Sequence, residues 1–331
     1  MTKQFFGYLL ILFFLILSSC TDDSGEMTDQ TEETVVPRAT TINATLEHDG
    51  LDRIYNLYFP SNYDGDTPLP LVIVLHGGSG NAESVQGFTQ MTPVAEANGF
   101  LAVYPQGAGP AGDGGFSWAD GRGTTADDAA IDDVGFINTL IDILVSEYAV
   151  DENRIYLTGF SNGSFLTQKI ACTSNSKIAA VASLGSTYDV AQSAECNPGR
   201  PIPTLLITGT EDPFIPYDGG EMNTAVNVEI LSSPELFQFW AINNGCETEL
   251  NSIDLPDSNT SDNSTVTQFE FTDCDCDANV KHLRLNGAGH TWAGVENISY
   301  EEIAGETNED IDASTVIWEF FSQFELCDAN F

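Results

Sequence analysis

Basic residues are scarce in this chain. Its 331 residues include 10 Lys and Arg against 50 Asp and Glu, which gives a formal net charge of −40 at pH 7 with His neutral. Proteins that bind nucleic acid gather Lys and Arg on one face to neutralise phosphates. This composition cannot supply such a face, so nucleic acid is excluded as a partner. The acidic surface is typical of a protein in salty surroundings.

Long apolar runs are scarce too. Residues 5–17 form a mostly apolar run behind Lys3, too short to span a bilayer comfortably. Leu17-Ser18-Ser19-Cys20 follows and predicts a lipoprotein signal peptide over residues 1–19. Cys20 would then be the lipidated N-terminus and the anchor in an outer membrane. An ordinary signal peptide cleaved nearby is the alternative.

Residues 20–39 are acidic and poor in apolar side chains, so we expect a disordered tether. Asp22 and Asp23 resemble the surface-export signals of outer-membrane lipoproteins, which indicates an outward-facing or secreted protein. Residues 40–331 remain, and with 42% hydrophobic residues in the chain we expect them to form one domain around a large core.

Cysteine is limited to seven residues, and six remain once Cys20 is set aside. An even number in an exported protein favours disulfides over a zinc site. A bridge between Cys274 and Cys276 would be strained, so we expect Cys246 to pair with one of them and Cys327 with the other. The spacing does not choose between the two.

No metal site is predicted. Asp273-x-Asp275-x-Asp277 suggests a calcium loop superficially, but the glycine and the distal glutamate of an EF-hand are missing.

The strongest motif lies at residues 154–172. A β-branched and aromatic run ends in Gly159-Phe160-Ser161-Asn162-Gly163, and a helix-compatible segment follows. Strand, Gly-x-Ser-x-Gly and helix in this order predict the nucleophile elbow of an α/β-hydrolase, with Ser161 as the nucleophile. Gly159 and Gly163 are expected because side chains there would collide with the neighbouring strand and helix.

A serine hydroxyl needs a base, and only four histidines can supply one. His48 lies in a predicted hairpin turn, His76 closes a strand, and His282 is expected as a partly exposed strand residue. His290 lies on a loop after the last predicted strand, where this fold carries its base. By elimination, His290 is the predicted base.

The acid should end a strand between the nucleophile and the base. Glu211 and Asp212 follow the buried run 203–210, and both are possible. Asp212 is preferred because Pro213 forces it into an extended conformation and its shorter side chain holds an imidazole more rigidly. Asp218 is a weaker candidate.

The oxyanion hole needs two backbone amides. One is expected from Asn162 and the other from Gly78, with Gly77 as the alternative, because these glycines follow the apolar strand 71–75. His76 is then expected to brace this loop.

Strands alternate with helices along the chain, which predicts a mostly parallel, doubly wound sheet flanked by helices. Residues 107–130 form a long loop that is expected to be functional, and residues 247–268 are interpreted as an insertion loop. Trp118 and Trp292 are expected to form a substrate-stacking rim, together with Phe160 and Phe214.

With these residues in view, the chain resembles the polyhydroxybutyrate depolymerase and feruloyl esterase family of secreted α/β-hydrolases, which is carbohydrate esterase family one-like. The likeness covers residues 40–321 and is most specific at Gly289-His290-Thr291-Trp292 and at the Ser161-Asn162-Gly163 elbow. It implies Ser161, Asp212 and His290 as a triad, and a Cys172–Cys196 bridge. Departures at Gly78, Ser164 and Ala293, where the family often has cysteine, glycine and proline, put the shape of the acyl pocket in doubt.

These features predict a monomeric serine esterase that needs no cofactor. We expect feruloyl or acetyl esters of plant-type polysaccharides as substrates, with polyhydroxybutyrate oligomers as the alternative. A peptidase would use the same triad. A non-catalytic glycan-binding surface lipoprotein is the hypothesis from a different class.

Overall fold

The structure is a computed structural model that describes residues 36–111, 114–222, 224 and 226–327. The predicted signal peptide, Cys20 and the tether up to residue 35 lie outside the described residues. From Val36 onward the chain forms one compact unit.

Two kinds of element make up this unit. Its strands are β1 (Thr40–His48), β2 (Leu51–Phe59), β3 (Leu69–Leu75), β4 (Leu101–Pro105), β5 (Gly109–Pro110), β6 (Phe116–Ser117), β7 (Val150–Phe160), β8 (Ala180–Leu184), β9 (Thr204–Gly209), β10 (Gly220–Glu221), β11 (Glu229–Ile230), β12 (Thr248–Glu249), β13 (Ile253–Asp254), β14 (Thr265–Thr272) and β15 (Val280–Asn286). Its helices are α1 (Ala82–Thr89), α2 (Met91–Asn98), α3 (Thr125–Asp128), α4 (Asp133–Glu147), α5 (Asn162–Thr173), α6 (Val190–Glu195), α7 (Ser233–Asn243), α8 (Ile298–Ala304) and α9 (Ala313–Phe321).

One large sheet organises the fold, in the order β1-β2-β4-β3-β7-β8-β9-β15-β14-β12, with β13 also paired to β14. The six inner strands from β4 to β15 run parallel, and the pairs toward both edges are antiparallel. This confirms the predicted mostly parallel sheet. Because parallel strands end at the same edge, the loops after β3, β7, β9 and β15 meet there.

Side-chain alternation along the central strands divides the core into two layers. On β3, Leu71, Ile73 and Leu75 pack with apolar residues of α4, α5 and α7. Val72 and Val74 point to the other face and pack with residues of α1, α2 and α9. Both faces of the sheet are therefore covered by helices, as the near-continuous apolar runs of its inner strands require.

The structure differs from the sequence-based expectation at one sheet edge. Residues 247–268, expected as an insertion loop, carry β12, β13 and the start of β14. β14 pairs antiparallel with β15 from Thr265↔Asn286 to Phe271↔Val280. Its β-branched and aromatic run was the available signal, and the polar residues before it concealed the strand.

A helix was also missed between the glycine loop and α2. Asn81 caps α1 by accepting from the Ser84 amide, and the Ser84 hydroxyl accepts from the Asn81 amide in return. That reciprocal pair is a capping box, which the spacing of Asn81 and Ser84 could have revealed.

Three disulfides join the six remaining cysteines: Cys172–Cys196, Cys246–Cys274 and Cys276–Cys327. The first confirms the pairing that the family resemblance implied. The other two settle the choice that spacing left open, and the last ties the chain's final described residue to the turn before β15. No helix in the described ranges has the length and apolar character to cross a bilayer.

The pairing predicts which cysteines can be removed together without exposing a thiol. Cys276→Ser/Cys327→Ser removes one bridge and should show no reactive thiol after unfolding without reductant, at a stability cost of about 2–5 kcal/mol. Cys274→Ser/Cys327→Ser breaks two bridges and should expose thiols at Cys246 and Cys276. Thiol titration, with Cys20→Ser as the common background, measures both. The reverse pattern would show that Cys246 pairs with Cys276 instead.

Candidate active site

Ser161 occupies a strained turn between β7 and α5. Its backbone has φ 53° and ψ −119°, in a region that residues with a side chain rarely adopt. A Cβ at Gly159 would lie 2.5 Å from the carbonyl carbon of Gly163, and one at Gly163 would lie 2.7 Å from the Leu75 carbonyl oxygen. The two glycines are therefore required by the close packing of β7, α5 and β3, as the sequence predicts.

The amide of Ser161 donates to the Leu184 carbonyl at 3.0 Å, which fixes the elbow to the end of β8. The next amide, that of Asn162, begins α5 and has no carbonyl one turn earlier within the helix to accept from it. Among the described residues, the Ser161 hydroxyl has no hydrogen-bond partner, and it lines two cavities.

His290 pairs with Asp212 across the ends of β15 and β9. Its Nδ1 lies 2.6 Å from Asp212 Oδ2, and each side chain is 3% exposed. The other carboxylate oxygen accepts from the amides of Phe214 and Ile215, each at 2.8 Å. A carboxylate only accepts, so Nδ1 carries the proton and Nε2 is free to accept one. Of the three acids considered from the sequence, Asp212 is the one paired with His290.

Aromatic rings and main-chain bonds hold the imidazole. The ring centroid of Phe160 lies 4.7 Å from that of His290, and Phe214 approaches it edge-on at 5.4 Å. The amide of His290 donates to the Ala304 carbonyl, at the end of α8. The loop that carries His290 is thus held by Phe160, next to the elbow serine, and by Ala304 of α8.

The glycine loop after β3 is braced by His76, which is 1% exposed. Its Nδ1 donates to the Gly77 carbonyl at 2.7 Å, and its Nε2 accepts from the Gly107 amide at 2.9 Å. Gly78 lies opposite Asn162, since a Cβ at Gly78 would be 3.9 Å from the Asn162 Cβ. The glycine loop therefore lies against the start of α5, and a Cβ at Gly77 would lie 3.4 Å from the Ser161 Cβ.

Burial sets the protonation state of two histidines outside the pair. It lowers the pKa of His76 to about 4, partly opposed by the bond to Gly77, and lowers the pKa of His282 to about 3. The expectation that His282 is partly exposed is wrong, because its ring is 2% exposed and packs beneath Phe269 and Tyr217. Thr208 bonds its Nε2 at 2.8 Å.

Two cavities open on either side of Ser161. The Phe88 cavity, of about 530 Å³, is lined by the glycine loop and by apolar side chains that include Val85, Phe88, Phe160 and Val295. The His290 cavity, of about 550 Å³, is lined by polar and apolar groups that include Asn162, Arg122, Phe165, Phe214, Met222 and His290. Gly78, Ser79, Ser161 and Tyr300 line both.

Trp118 and Trp292 do not form the expected rim. Both side chains are fully buried, and neither lines a cavity at Ser161. The Trp292 indole donates to the Ser314 hydroxyl at 3.2 Å, and the Trp118 indole donates to the His76 carbonyl at 2.9 Å. The expectation is wrong because burying a large apolar ring in the core stabilises the fold more than leaving it exposed at a cavity rim, provided that the indole N–H has a hydrogen-bond partner. Phe160 and Phe214 do line the site.

Tyr300 and Phe88 are cavity residues that the sequence reasoning missed. Burial and the neighbouring Asp212 carboxylate raise the pKa of Tyr300 to about 12, so its hydroxyl stays protonated. Phe88 approaches Tyr300 edge-on, with ring centroids 6.3 Å apart. The capping box of α1 would have placed Phe88 on a helix beside the glycine loop. Asn297, whose side chain accepts from the Tyr300 amide, is the N-cap that could have placed Tyr300 in the first turn of α8. No cluster of three metal-binding side chains occurs in the part of the chain that the structure describes.

Comparisons with known proteins agree with this geometry. The family model described as esterase PHB depolymerase matches residues 53–197, a segment that contains the elbow. Over that segment, which is less than half of the chain, the sequence is similar to this esterase family. Feruloyl esterase B of Piromyces equi is 32% identical over 70% of this chain and 41% of its own length. A bifunctional acetylxylan esterase/xylanase of Neocallimastix patriciarum is 30% identical over 77% of this chain and 33% of its own.

The chain thus spans less than half the length of these two relatives. Among solved structures, an acetyl xylan esterase from Aspergillus awamori is 15% identical, with a TM-score of 0.51 over 79% of this chain and 97% of that one. A thermostable esterase has the same TM-score over 86% of this chain and 63% of its own. These likenesses show the α/β-hydrolase fold.

Neutral His76 predicts an acid-side loss of stability. Because the folded chain holds its pKa at about 4, the unfolded chain, with a His pKa of about 6.5, binds the proton first as the pH falls. This contribution is complete above about pH 6.5 and is lost as the pH falls toward 4. In His76→Gln, the slope of the unfolding free energy with pH should be smaller by up to about 1.4 kcal/mol per pH unit.

Urea unfolding at a series of pH values measures this slope. His48→Gln, at the partly exposed end of β1, is the matched control for losing a histidine. Equal slopes in the wild type and in His76→Gln would contradict the neutral, buried assignment.

Proposed function

We propose that this chain is a carboxylic ester hydrolase that works through Ser161, His290 and Asp212. The observation that carries the proposal is the Asp212–His290 pair, whose base lines the same cavity as the strained elbow serine. The match of residues 53–197 to an esterase family model supports it. Asp212 and His290 lie outside the segment that the family model matches, so their roles rest on geometry.

In the proposed mechanism, Ser161 Oγ attacks the ester carbonyl carbon while its proton passes to His290 Nε2. The amides of Asn162 and Gly78 stabilise the oxyanion that forms. The imidazolium then gives its proton to the departing alcohol, leaving an acyl-enzyme. Water, deprotonated by His290, hydrolyses the acyl-enzyme and regenerates the Ser161 hydroxyl. Asp212 holds the tautomer with the proton on Nδ1. No cofactor takes part in these steps.

The two cavities receive different parts of the ester. His290 must reach the departing oxygen, so the alcohol portion lies in the His290 cavity. The acyl group then extends past the glycine loop into the Phe88 cavity, between Phe88, Phe160 and Tyr300. This part of the lining is aromatic, and polar groups, among them the Tyr300 hydroxyl, Glu296 and Asn297, line the rest of the cavity.

An aromatic acyl group fits this lining better than an acetyl group, because a planar ring can pack against Phe88 and Phe160. We therefore propose feruloyl esters of plant-type polysaccharides as the first choice and acetyl esters as the second. Relatives named feruloyl esterase and acetylxylan esterase support both. Polyhydroxybutyrate oligomers remain the alternative that the family model's description favours.

The location is also a proposal. Export with a lipid on Cys20 would hold a monomeric enzyme at the cell surface, where soluble oligosaccharide esters reach it. The support is the sequence Leu17-Ser18-Ser19-Cys20 and the three disulfides.

Ser161→Ala should abolish ester hydrolysis without loss of the fold, and His290→Ala should do nearly the same. Loss of either typically costs several orders of magnitude, about 10⁴-fold or more in kcat. The kcat of Asp212→Asn should also fall steeply, because an amide at this position can stabilise the wrong tautomer of His290. Hydrolysis of p-nitrophenyl acetate measures turnover, and labelling by a fluorophosphonate measures the reactivity of the Ser161 hydroxyl. Absence of label on a folded wild-type chain would favour the non-catalytic glycan-binding hypothesis.

His282→Ala is the matched control, because it removes a buried histidine away from Ser161. If His282→Ala were inactive and His290→Ala kept wild-type turnover, the assignment of the base would be wrong.

The acyl preference should depend on Phe88. Methyl ferulate and methyl acetate share their alcohol, so the ratio of their kcat/KM values reports on the acyl side alone. Phe88→Ala should lower this ratio by about ten-fold, in line with loss of one aromatic packing contact. Met222→Ala, in the His290 cavity, should leave the ratio unchanged. Useful cleavage of a hydroxybutyrate trimer, with none of methyl ferulate or an acetylated xylo-oligosaccharide, would overturn the carbohydrate-ester proposal.

A further inference from the structure

Trp118 joins the two loops that flank Ser161. Its amide donates to Asn162 Oδ1 at 2.7 Å, and its carbonyl accepts from Asn162 Nδ2 at 3.2 Å. Its indole N–H donates to the His76 carbonyl at 2.9 Å. The Trp118 and His76 rings also pack together, with centroids 4.7 Å apart. One residue therefore holds the elbow through its main chain and the glycine loop through its side chain.

The loops joined in this way carry the two amides of the proposed oxyanion hole. Asn162 directly follows the nucleophile, and His76 directly precedes Gly77 and Gly78. The pairing of β3 with β7 ends at Leu75 and Gly159. The residues after these two are therefore not held to each other by hydrogen bonds between β3 and β7. Something other than strand pairing must fix the spacing between the Gly78 and Asn162 amides.

The segment around Trp118 is rigid enough to do this. The Thr124 hydroxyl donates to the Trp118 carbonyl at 3.0 Å, and the Ala119 amide donates to Asp133 at 2.7 Å. Asn162 Nδ2 also donates to the buried Asp120 carboxylate at 2.6 Å. Trp118 thus belongs to a set of buried, hydrogen-bonded groups, and it is itself fully buried.

We propose that Trp118 is a positioning residue for the oxyanion hole: it sets the separation of the Gly78 and Asn162 amides through its bonds to His76 and Asn162. The inference rests on the proposed esterase function. It concerns transition-state stabilisation, because oxyanion donors act only when placed about 2.7–3.1 Å from the developing charge. Loss of the Trp118 bonds should therefore slow the acylation step and leave ground-state binding of the substrate nearly unchanged.

Trp118→Phe is the direct test, since it keeps an aromatic ring on His76 and the main-chain bonds to Asn162 while removing the indole donor. We expect kcat/KM for p-nitrophenyl acetate, per active site titrated, to fall about ten-fold, less than the loss expected for deleting an oxyanion donor. Binding of phenylboronic acid, which forms a tetrahedral adduct with a nucleophilic serine, should weaken by a similar factor. Binding of benzyl alcohol, which forms no adduct, should stay within about two-fold of wild type.

Trp240→Phe is the matched control. Trp240 is also fully buried and donates its indole N–H to one side chain, Gln168 Oε1 at 2.6 Å, but it lines neither cavity. Both variants should lose thermal stability, and only Trp118→Phe should lose boronate affinity and kcat/KM. Equal effects of the two variants on kcat/KM per active site would mean that Trp118 is merely structural, and the inference would fail.

A second variant keeps the test decisive if Trp118→Phe folds poorly. Asn162→Ala retains the backbone amide of the hole and removes the three side-chain bonds to Trp118 and Asp120. On its own it should lower kcat/KM per active site and boronate affinity by about ten-fold, because it breaks the bonds that join Trp118 to the elbow. Unchanged kcat/KM and boronate affinity in a folded Asn162→Ala chain would overturn the inference.

The proposed function and this inference fail in different ways. Undiminished hydrolysis by Ser161→Ala would remove the esterase proposal itself. Inactive Ser161→Ala together with a Trp118→Phe variant of unchanged kcat/KM and boronate affinity would leave the esterase proposal standing and remove only the role of Trp118.

Discussion

The close approach of α5 to the end of β3 is the constraint on which the rest of the site depends. Gly163 meets the main chain of Leu75 and His76 without a side chain between them, and Gly159 meets Gly163 in the same way. This contact places the first turn of a helix directly against the glycine loop. It also forces the unusual backbone of Ser161, a strain that surrounding packing must offset. Larger residues at either glycine would push the start of α5 away from β3 and β7.

Two buried arginine–aspartate pairs stabilise the chain segment beside this contact. The chain has ten Lys and Arg, and two of the arginines pair with buried acids, one in the loop 107–130 and one at the start of α4. Arg122 pairs with Asp120, and Arg53 pairs with Asp133. Burial raises the pKa of both carboxyls, while the guanidinium partners oppose that shift. Removing one partner would leave a buried charge unpaired, which is far costlier than losing an exposed ion pair. The acidic loop beside Ser161 is thus held inward by specific pairs.

The elbow and the base could be predicted because local chemistry restricts them. Gly-x-Ser-x-Gly requires its glycines for steric reasons that act within a few residues, and four histidines leave little choice of base. The choice of acid required the structure, because Glu211, Asp212 and Asp218 all lie in the same stretch of chain and only the geometry shows which one pairs with His290. Trp118 and Trp292 were misjudged because an indole near a site in sequence can satisfy its N–H in the core. β14 was missed because the polar residues before it concealed its own β-branched and aromatic run.

Chemistry and specificity come from different parts of this fold. The elbow, the glycine loop and Trp118 lie within the segment that matches the esterase family, residues 53–197. The groups that shape the two cavities are divided: Phe88 lies inside that segment, while Phe214, Met222 and Tyr300 lie beyond it. The family match therefore bears on the proposed nucleophile and its setting more directly than on the alcohol side of the ester. Tyr300 lines both cavities from α8, the helix whose last residue, Ala304, accepts a hydrogen bond from the His290 amide. A change in α8 would therefore alter the shape of both cavities and the placement of the proposed base together.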